Sequence, residues 1–529
     1  MQLSTHRLWT VGRWALLAIV ALCFVVAVAK PIVLTASDLG RHLTNGTIFL
    51  DHGEIATTNL YSFTYPDFPF LNHHWGSGVL FELARRFRGF VGVSVFGLCV
   101  VYLTAFLYLR TAWLHGKFWL AMTAAALLLP VFSSRAEIRP ELFSYLLSAV
   151  FLWILLGVRN RSIPSLALAA LPVLMVAWVN LHIYFFLGIG WMGAFFLDAL
   201  FRAWHDAPDR ETHLRDARNL FFALAASCLV TPLNPNGWKG ALYPLLIFQN
   251  YAYAVAENQS VSRIMAQGEY PPGFFLKIGL GVLAVTWMWR LYRDRKNQSI
   301  PDVALLILTI FVSIIAWKAI RNFTIFAYVG IVSLSAAWSD LDLDALAGRF
   351  AKAVRVAVPL GMLALVVAIY PKFWVITYRT IGLGVAPGIL RSTDFFKEQG
   401  LKGPIMNNYD IGGFLTYGLY PQERVFVDNR PEAYPGEFFT RDLLPMQMRE
   451  EDWLRVDAKY GFNAIFFYRH DATRWGQQFM IRRLADPAWA PVFVDNFAII
   501  IVRRTPENAD VIERFEIPKS RFEVQPRRR

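Results

Sequence analysis

Long apolar runs recur along most of this chain, and they limit its fold more than any other feature of the sequence. A run of about 18 residues or more is long enough for an α-helix to cross a bilayer. Runs of about this length lie near residues 14–34, 90–109, 117–133, 142–158, 163–180, 183–201, 219–233, 272–289, 302–317, 323–338 and 354–372. The sequence therefore predicts an α-helical polytopic membrane protein with about eleven transmembrane helices. A content of 56% hydrophobic and only 17% charged residues agrees, because it is too apolar for an ordinary soluble enzyme.

The positions of Lys and Arg predict how these helices are oriented. Short cytoplasmic loops carry an excess of basic residues, and Arg7 and Arg13 precede or begin the first apolar run. Alternation from a cytoplasmic N-terminus puts these basic connections inside: 110–117, 159–161, 202–218, 290–296 and 349–355. The segments 35–89, 234–271 and everything after 372 are then predicted to lie outside. Because the charges lie in short loops and not on one basic face, the net charge of +13 points to a lipid bilayer as partner and argues against nucleic acid.

Two domains are predicted, with a boundary at about residue 372. Residues 1–372 form a polytopic transmembrane domain with a large first outside loop, 35–89, and residues 373–529 form a soluble non-cytoplasmic domain. In the second domain short strand-like segments alternate with helical ones, which is typical of a small α/β fold. The predicted strands are 404–406, 424–427, 464–467 and a hairpin of 491–494 with 497–502, and a basic tail ends the chain at Arg527, Arg528 and Arg529.

The first outside loop begins with polar residues directly after the first membrane helix. Asp38 is followed by Arg41 and His42, so these side chains are predicted to lie at the membrane surface. A carboxylate beside an apolar wall and two basic groups can have its pKa tuned as a general base requires. Asp38 is therefore the candidate catalytic residue. The alternative, that Asp38 simply caps the next helix, stays open at this point.

A pair of histidines lies further along the same loop. His73 and His74 precede Trp75, and their rings can hydrogen-bond to a phosphate or a sugar. Adjacent residues on one chain rarely face the same ion, so a metal site is the weaker interpretation. Both histidines are candidate substrate-binding residues together with Arg41 and His42, and no metal site is predicted.

Four cations occupy connections that alternation places outside. They are Arg135 and Arg139 after the third helix, and Lys318 and Arg321 between the ninth and the tenth. Positive charge there runs against the orientation rule, so something should compensate for it. An anionic ligand such as a lipid phosphate or diphosphate suits these residues, because arginine offers bidentate contacts to phosphate oxygens. The alternative is that they pair with Glu137, Glu141 or lipid head groups.

Motifs of several enzyme classes are missing from the sequence. It contains no Walker loop, no dinucleotide glycine fingerprint, no zinc-protease helix and no serine-hydrolase elbow. These absences argue against a cytoplasmic machine driven by nucleotide hydrolysis.

Short motifs that carry a resemblance to a known family are spread over nearly the whole chain. They are Asp38–Leu43, Gly53–Glu54, Asn59–Thr64, His74–Trp75, Arg139–Phe143, Asn234–Gly237, Tyr409–Phe414 and Val425–Arg430. Together they resemble a subgroup of bacterial membrane proteins in the C-type glycosyltransferase (GT-C) superfamily. Members of that superfamily transfer a sugar from a polyprenyl-phosphate donor on the outer side of the membrane, using an acidic residue of the first outside loop.

The resemblance implies a GT-C-like fold, a location in the inner membrane of a bacterium, and a polyprenyl-phosphate-linked sugar as donor. It further implies that the acceptor is an envelope glycan, lipid or protein, and that Asp38 is the catalytic acid residue. Many members carry two adjacent acids at this point, where this chain has Ser37 and Asp38. No cofactor is therefore predicted, and a requirement for a divalent cation such as Mg²⁺ or Mn²⁺ stays open.

The predicted function is inverting glycosyl transfer. Asp38 takes a proton from the acceptor hydroxyl, the four outside cations stabilise the leaving lipid phosphate, and His42, His73 and His74 orient the donor or acceptor. Two alternatives stay open. One is a transporter or flippase of a lipid-linked or anionic solute, in which the same cations line a path. The other is an enzyme of the O-antigen ligase or polymerase type, which relies on basic residues in a large late loop.

Overall fold

The computed structural model describes residues 2–135, 137–247, 252–342, 345 and 347–522. The predicted basic tail at 527–529 lies outside the described residues. Within them the chain is mostly α-helical and carries one small mixed sheet near its C-terminal end. The predicted fold class, a polytopic helical membrane protein with a C-terminal α/β domain, is thereby confirmed.

The described residues form α-helices in three stretches of the chain. The first thirteen are α1 (Gln2–Val28), α2 (Leu39–His52), α3 (Trp75–His115), α4 (Phe118–Phe132), α5 (Glu141–Arg159), α6 (Ala170–Leu181), α7 (Phe186–His205), α8 (Arg210–Val230), α9 (Gly237–Leu246), α10 (Val261–Gln267), α11 (Pro271–Lys296), α12 (Val303–Lys318) and α13 (Phe323–Ala337). Two more, α14 (Ala351–Ile369) and α15 (Pro371–Arg379), precede the sheet. The helices interspersed with the strands are α16 (Arg391–Glu398), α17 (Gly412–Leu419), α18 (Leu444–Met448), α19 (Glu450–Tyr460), α20 (Arg474–Ala485) and α21 (Ala509–Phe515).

Shorter helical turns connect these elements. The 3₁₀ turns are Leu34–Ala36, Ser165–Ala169, Ile183–Phe185, Ala256–Asn258, Ile320–Asn322, Gly348–Phe350, Pro431–Ala433, Pro506–Asn508 and Lys519–Phe522, and a π-helical turn covers Phe438–Leu443.

Seven helical segments within the described residues are long and apolar enough to cross a membrane. They correspond to seven of the predicted runs, and three shorter apolar segments, Phe118–Phe132, Ser165–Leu181 and Val303–Lys318, correspond to three more. The remaining run, 219–233, lies mostly in the second half of α8. The first half of that helix carries charged residues from Arg210 to Arg218, so α8 does not meet the same criterion along its length. The predicted count of about eleven spans thus corresponds to these ten segments and half of an amphiphilic helix.

The contacts divide the chain into two compact units. The helical unit comprises Met1–Pro31, Ser94–Ala241 and Ala254–Leu383, and the sheet unit comprises Ile32–Val93, Leu242–Tyr253 and Gly384–Arg529. This division differs from the sequence-based boundary at 372, because the first outside loop groups with the C-terminal residues and not with the membrane helices.

A buried layer of aromatic and small residues holds the helical unit together. Every residue of α4 from Trp119 to Phe132 is buried. Tyr108 on α3 stacks on Tyr328 of α13, with ring centroids 4.7 Å apart, and its hydroxyl lies 2.7 Å from that of Ser148 on α5. A tyrosine that is buried needs such a partner for its hydroxyl group. These contacts join three helices that are distant in sequence.

The sheet unit is built on four strands in the order β1-β2-β4-β3. They are β1 (Ile405–Asn407), β2 (Ala464–Tyr468), β3 (Trp489–Val494) and β4 (Ala498–Arg503). β1 and β2 pair in parallel, whereas β4 is antiparallel to both of its neighbours. The predicted hairpin is present as β3 and β4. The predicted strand at 424–427 is reduced to single bridges, in which Val425 pairs with Ile405 on one side and with Ser62 on the other.

Backbone pairing at Val425 explains why the first loop belongs to the sheet unit. The amide of Val425 donates to the carbonyl of Tyr61 at 2.9 Å, and the amide of Phe63 donates to the carbonyl of Val425 at 3.1 Å. The hydroxyl of Ser62 also donates to the carbonyl of Phe426. Residues 61–63 therefore extend the edge of the sheet next to β1 through Val425. This pairing satisfies backbone groups that would otherwise be buried without partners.

Candidate functional site

Asp38 lies directly before α2, in the sheet unit. The backbone amide of Leu39 is bonded by the hydroxyl of Ser37, 3.1 Å away, whereas the carboxylate of Asp38 makes no capping hydrogen bond to the helix. α2 ends at His52 because Gly53 adopts φ 71° and its amide bonds the carbonyl of Phe49, a left-handed cap that glycine adopts without strain. The Asp38 side chain is thus left to interact with other groups.

The carboxylate of Asp38 faces the two basic residues predicted to accompany it. Its Oδ2 atom lies 3.4 Å from Nε2 of His42 and 3.8 Å from a terminal nitrogen of Arg41. Both partners follow Asp38 by three or four residues, the spacing at which helical side chains meet. His42 is fully buried and Arg41 nearly so, but 23% of the Asp38 side chain remains exposed. An accessible carboxylate is therefore oriented by two groups that cannot move away.

The three predicted histidines of the first loop form one group. The rings of His42 and His74 meet edge to face with centroids 5.3 Å apart, and those of His73 and His74 lie 3.8 Å apart. His73 also contacts the ring of Tyr243, and its Nδ1 lies 3.0 Å from the carbonyl oxygen of Leu71. Among the described residues no group of three or more His, Cys, Asp or Glu side chains is arranged to hold a metal ion.

The C-terminal residues contribute the other side of this group. Nε of Arg41 lies 3.5 Å from Oδ1 of Asn429. A Cβ atom on Gly40 would lie 2.6 Å from the carbonyl oxygen of Gly413, so α2 packs on α17 at a distance that only glycine permits at this position. Both motifs quoted above from the C-terminal residues, 409–414 and 425–430, thus lie beside the first loop. We call Asp38, Arg41, His42, His73, His74 and Asn429 the first-loop site.

A buried ion pair supports the first-loop site from below. Arg430 and Asp428 are both fully buried, and Nε of Arg430 donates to Asp428 at 2.8 Å. A terminal nitrogen of Arg430 donates to Asn59 at 2.7 Å, and the guanidinium lies over the rings of Tyr61 and Phe70. Burial lowers the pKa of Arg430, but Asp428 outweighs burial and raises that pKa above its ordinary value. The pair joins the loop that carries Asn429 to the first outside loop.

A second pair of acidic residues follows the parallel strands of the sheet unit. Asp410 comes after β1 and Asp471 comes after β2. Burial and then the Asp471 carboxylate raise the pKa of Asp410 to about 6. Asp471 itself is bonded by the amide of Thr473 at 2.8 Å and by the side-chain amide of Asn408, also at 2.8 Å. The sequence indicated polar residues just beyond these strands but not that two of them interact.

The raised pKa of Asp410 predicts a pH-dependent stability. A carboxyl group whose folded pKa exceeds its unfolded value favours the folded state below about pH 4, and this contribution is lost as the pH rises through about 6. Asp410→Asn is therefore expected to stabilise the protein at pH 7.5 by about 1 to 3 kcal/mol, since one pKa unit corresponds to about 1.4 kcal/mol. Thermal unfolding from pH 4 to 8 measures this gain, which should vanish at the acid end. The exposed Asp510, replaced in the same way, is the control, and equal gains at pH 4 and pH 7.5 would contradict the assignment.

Three of the four outside cations come together in the helical unit. Arg135 and Arg139 both contact Glu257, at 3.0 and 2.6 Å. Arg321 contacts Glu141 at 2.9 Å and donates to Asn258 at 3.0 Å. Arg139 further pairs with the half-exposed Glu137 at 2.7 Å. We call these three arginines and three glutamates the arginine–glutamate network.

The network answers the question of what compensates these cations in the ligand-free protein. Three guanidinium groups face three carboxylates, so the formal charge of the network is zero. Pairing with Glu137 and Glu141, one of the alternatives that the sequence left open, is present. Glu257 was missed, although the charge balance of the outside segments pointed to an acid in 234–271. Lys318, the fourth cation, is exposed and forms no ion pair among the residues that the structure describes.

Neither a protein-family model nor a curated protein sequence matches the chain, but solved structures do. The archaeal oligosaccharyltransferase AglB from Archaeoglobus fulgidus, solved with an inhibitory peptide and a dolichol-phosphate, is similar with a TM-score of 0.57 at 13% identity, over 92% of this chain and 74% of that one. ArnT from Cupriavidus metallidurans in the apo state gives a TM-score of 0.52 at 12% identity, over 96% and 99%. ArnT bound to undecaprenyl phosphate gives 0.50 at 12% identity, over 93% and 98%. At these identities the likeness shows the fold, and it confirms the expected GT-C-like membrane fold.

Proposed function

We propose that this multi-pass membrane protein of GT-C-like fold is a glycosyltransferase that uses a polyprenyl-phosphate sugar as donor and an envelope molecule as acceptor. The observation that carries the proposal is the Asp38 carboxylate, which is accessible and is oriented by the buried Arg41 and His42. The solved structures with a similar fold support the donor class, since one holds a dolichol-phosphate and another undecaprenyl phosphate.

In the proposed reaction Asp38 acts as general base. Its carboxylate removes the proton from an acceptor hydroxyl, and the oxygen attacks the anomeric carbon of the sugar. The bond between this carbon and the phosphate oxygen breaks, its electron pair leaves with the lipid phosphate, and the configuration at the anomeric carbon inverts. His42, His73 and His74 supply nitrogen atoms that can hydrogen-bond to sugar hydroxyls. Arg41 holds Asp38 and Asn429 in register.

The arginine–glutamate network is proposed to bind a lipid phosphate. Because Glu257 contacts Arg135 and Arg139 in the ligand-free protein, a phosphate must displace this carboxylate or share its partners. The exposed Lys318 offers a further positive charge near the end of α12. A divalent cation would assist the same leaving group by neutralising charge on the phosphate.

Glu257→Gln tests this role of the network. The change raises the formal charge of the network from zero to +1, and we expect polyprenyl phosphate to bind about tenfold more tightly, as about 1.4 kcal/mol of charge interaction would produce. The measurement is the dissociation constant of polyprenyl phosphate for the purified protein. Glu137→Gln changes the charge equally but at a half-exposed side chain, so its effect should be smaller. Weaker binding by Glu257→Gln would contradict the proposal.

The proposed orientation follows from the basic loops. The N-terminus is placed in the cytoplasm and the C-terminal residues in the periplasm of a bacterial inner membrane, where a polyprenyl-phosphate sugar and envelope acceptors meet. Cysteine labelling in intact cells tests this at two positions on the sheet unit, such as the exposed Asp67 and Asp510 replaced by Cys. Labelling only after the cells are opened would reverse the orientation.

The experiment that separates enzyme from transporter follows the donor in proteoliposomes. Purified protein is reconstituted with radiolabelled polyprenyl-phosphate sugars, and an envelope extract is added as the source of acceptor. The proposal predicts that label leaves one lipid donor and appears in an acceptor fraction. Intact donor that only changes leaflet would establish the transporter or flippase alternative.

A further inference from the structure

A second charged region of the helical unit lies at the opposite ends of helices from the arginine–glutamate network. α5 begins at Glu141 of the network and ends at Arg159, and a cavity of about 130 Å³ lies beside this latter end. The cavity is lined by the last turn of α5, by α7 and by the first half of α8, including Arg159, Arg161, Arg202 and His213. These residues belong to the loops that the sequence places in the cytoplasm, and the proposed transfer reaction does not use them.

Carboxylates hold the three arginines in fixed positions. Arg159 donates to both oxygens of Asp302, at 2.6 and 2.8 Å, and Nε of Arg202 donates to Asp198 at 2.8 Å. Asp198 is buried and also accepts the backbone amide of Val303, which begins α12. The arrangement is therefore rigid before any ligand binds.

The cavity keeps positive charge and hydrogen-bond donors after this pairing. Its lining contains three guanidinium groups against two carboxylates, those of Asp198 and Asp216, which leaves one positive charge before any protonation of His213. Within the described residues, no partner bonds the two terminal nitrogens of Arg202. Guanidinium donors in a fixed cavity are suited to the oxygens of a phosphate group.

An apolar groove adjoins the charged cavity. It has a volume of about 500 Å³ and lies between residues 165–172 and α8, and Leu168 lines both the groove and the cavity. Leu166 and Phe222 border the groove and are largely exposed. The volume falls in the range of about 300 to 1,000 Å³ that is typical of ligand pockets. A free phosphate would leave this groove unused.

We propose that the cavity and the groove together bind one glycerophospholipid of the surrounding membrane, with its phosphate in the cavity and an acyl chain in the groove. The polar and apolar parts follow each other in the order of a lipid head group and its chain. Basic pockets between transmembrane helices on the cytoplasmic side are suited to anionic lipid head groups. The site is separate from the proposed transfer reaction and does not depend on it.

Native mass spectrometry of the purified full-length chain tests this proposal with three probes. These are phosphatidylglycerol, a diacylglycerol with the same chains, and glycerol phosphate. One phosphatidylglycerol is expected to bind at least tenfold more tightly than either of the other two. Equal binding of diacylglycerol would remove the role of the cations, and equal binding of glycerol phosphate would remove the role of the groove. Either result overturns the proposal.

Matched variants on α8 and α7 locate the site. Ala226→Trp fills the groove and Arg202→Gln removes donors from the cavity, and each is expected to weaken phosphatidylglycerol binding about tenfold. Leu229→Trp and Arg218→Gln place the same changes at exposed positions of α8 outside the lining and should leave binding unchanged. If Arg202→Gln fails to fold because Asp198 loses its partner, His213→Gln replaces it. Equal losses in the control variants would overturn the proposal.

Discussion

Replacing Asp38 by Asn is expected to lower the rate of sugar transfer by about 100-fold to 10,000-fold, the usual effect of losing a general base. Asparagine keeps the size of the side chain and can still accept a hydrogen bond from Arg41 or His42, but its amide oxygen is too weak a base to take the acceptor proton. Since the Asp38 carboxylate makes no capping hydrogen bond to α2, the helix should be retained. The measurement is the initial rate of label transfer from the donor that the wild type consumes.

The control for this experiment lies on the same helix. Asp51 is exposed and pairs with Arg86 at the surface, so Asp51→Asn should leave the rate within about twofold, as expected for a surface ion pair worth less than 1 kcal/mol. Both variants are checked by thermal unfolding. A folded Asp38→Asn protein with full activity would remove Asp38 from the mechanism and favour the O-antigen ligase or polymerase alternative.

Replacing Arg430 by Gln is expected to destabilise the sheet unit by about 3 to 5 kcal/mol. The change leaves the carboxylate of Asp428 buried without its charged partner, which is the costly way to break a buried ion pair. It also removes the hydrogen bond to Asn59 that ties the C-terminal residues to the first loop. Thermal unfolding monitored by a probe in the sheet unit measures the loss.

A double variant separates this effect from a general loss of packing. Asp428→Asn combined with Arg430→Gln removes both charges, and part of the stability should return because no uncompensated charge remains. The exposed pair of Arg441 and Glu437 is the surface control, and Arg441→Gln should cost less than about 1 kcal/mol. An Arg430→Gln protein as stable as the wild type would show that the buried pair does not hold the first loop in place.

Much of the membrane part could be predicted from the sequence, because a spanning helix is specified locally by its own apolar residues. Ten predicted runs correspond to apolar helical segments in the structure. The run at 219–233 shows the limit of this reasoning, since α8 begins nine residues earlier in a charged stretch. The apolar window identified half of the helix, and the charged half depends on packing that a window does not record.

The candidate site was predictable only where its residues are close in sequence. Asp38, Arg41 and His42 meet because α2 brings residues three or four apart onto one face. The contact of Arg41 with Asn429 spans 388 positions, and it arises from pairing of the first loop with Val425 at the edge of the sheet. Similarly, Glu257 reaches Arg135 over 122 positions. No local pattern specifies such contacts.

The path of one oxygen atom tests the proposed transfer most directly. A polyprenyl-phosphate sugar is prepared with ¹⁸O at the oxygen that bridges phosphorus and the anomeric carbon, and the lipid product of the wild-type reaction is analysed by mass spectrometry. Attack at the anomeric carbon, with Asp38 as base, predicts that the released polyprenyl phosphate keeps the ¹⁸O. Label that leaves with the sugar would show that the phosphorus–oxygen bond breaks, and donor that stays intact would show no transfer, so either result would contradict the proposal.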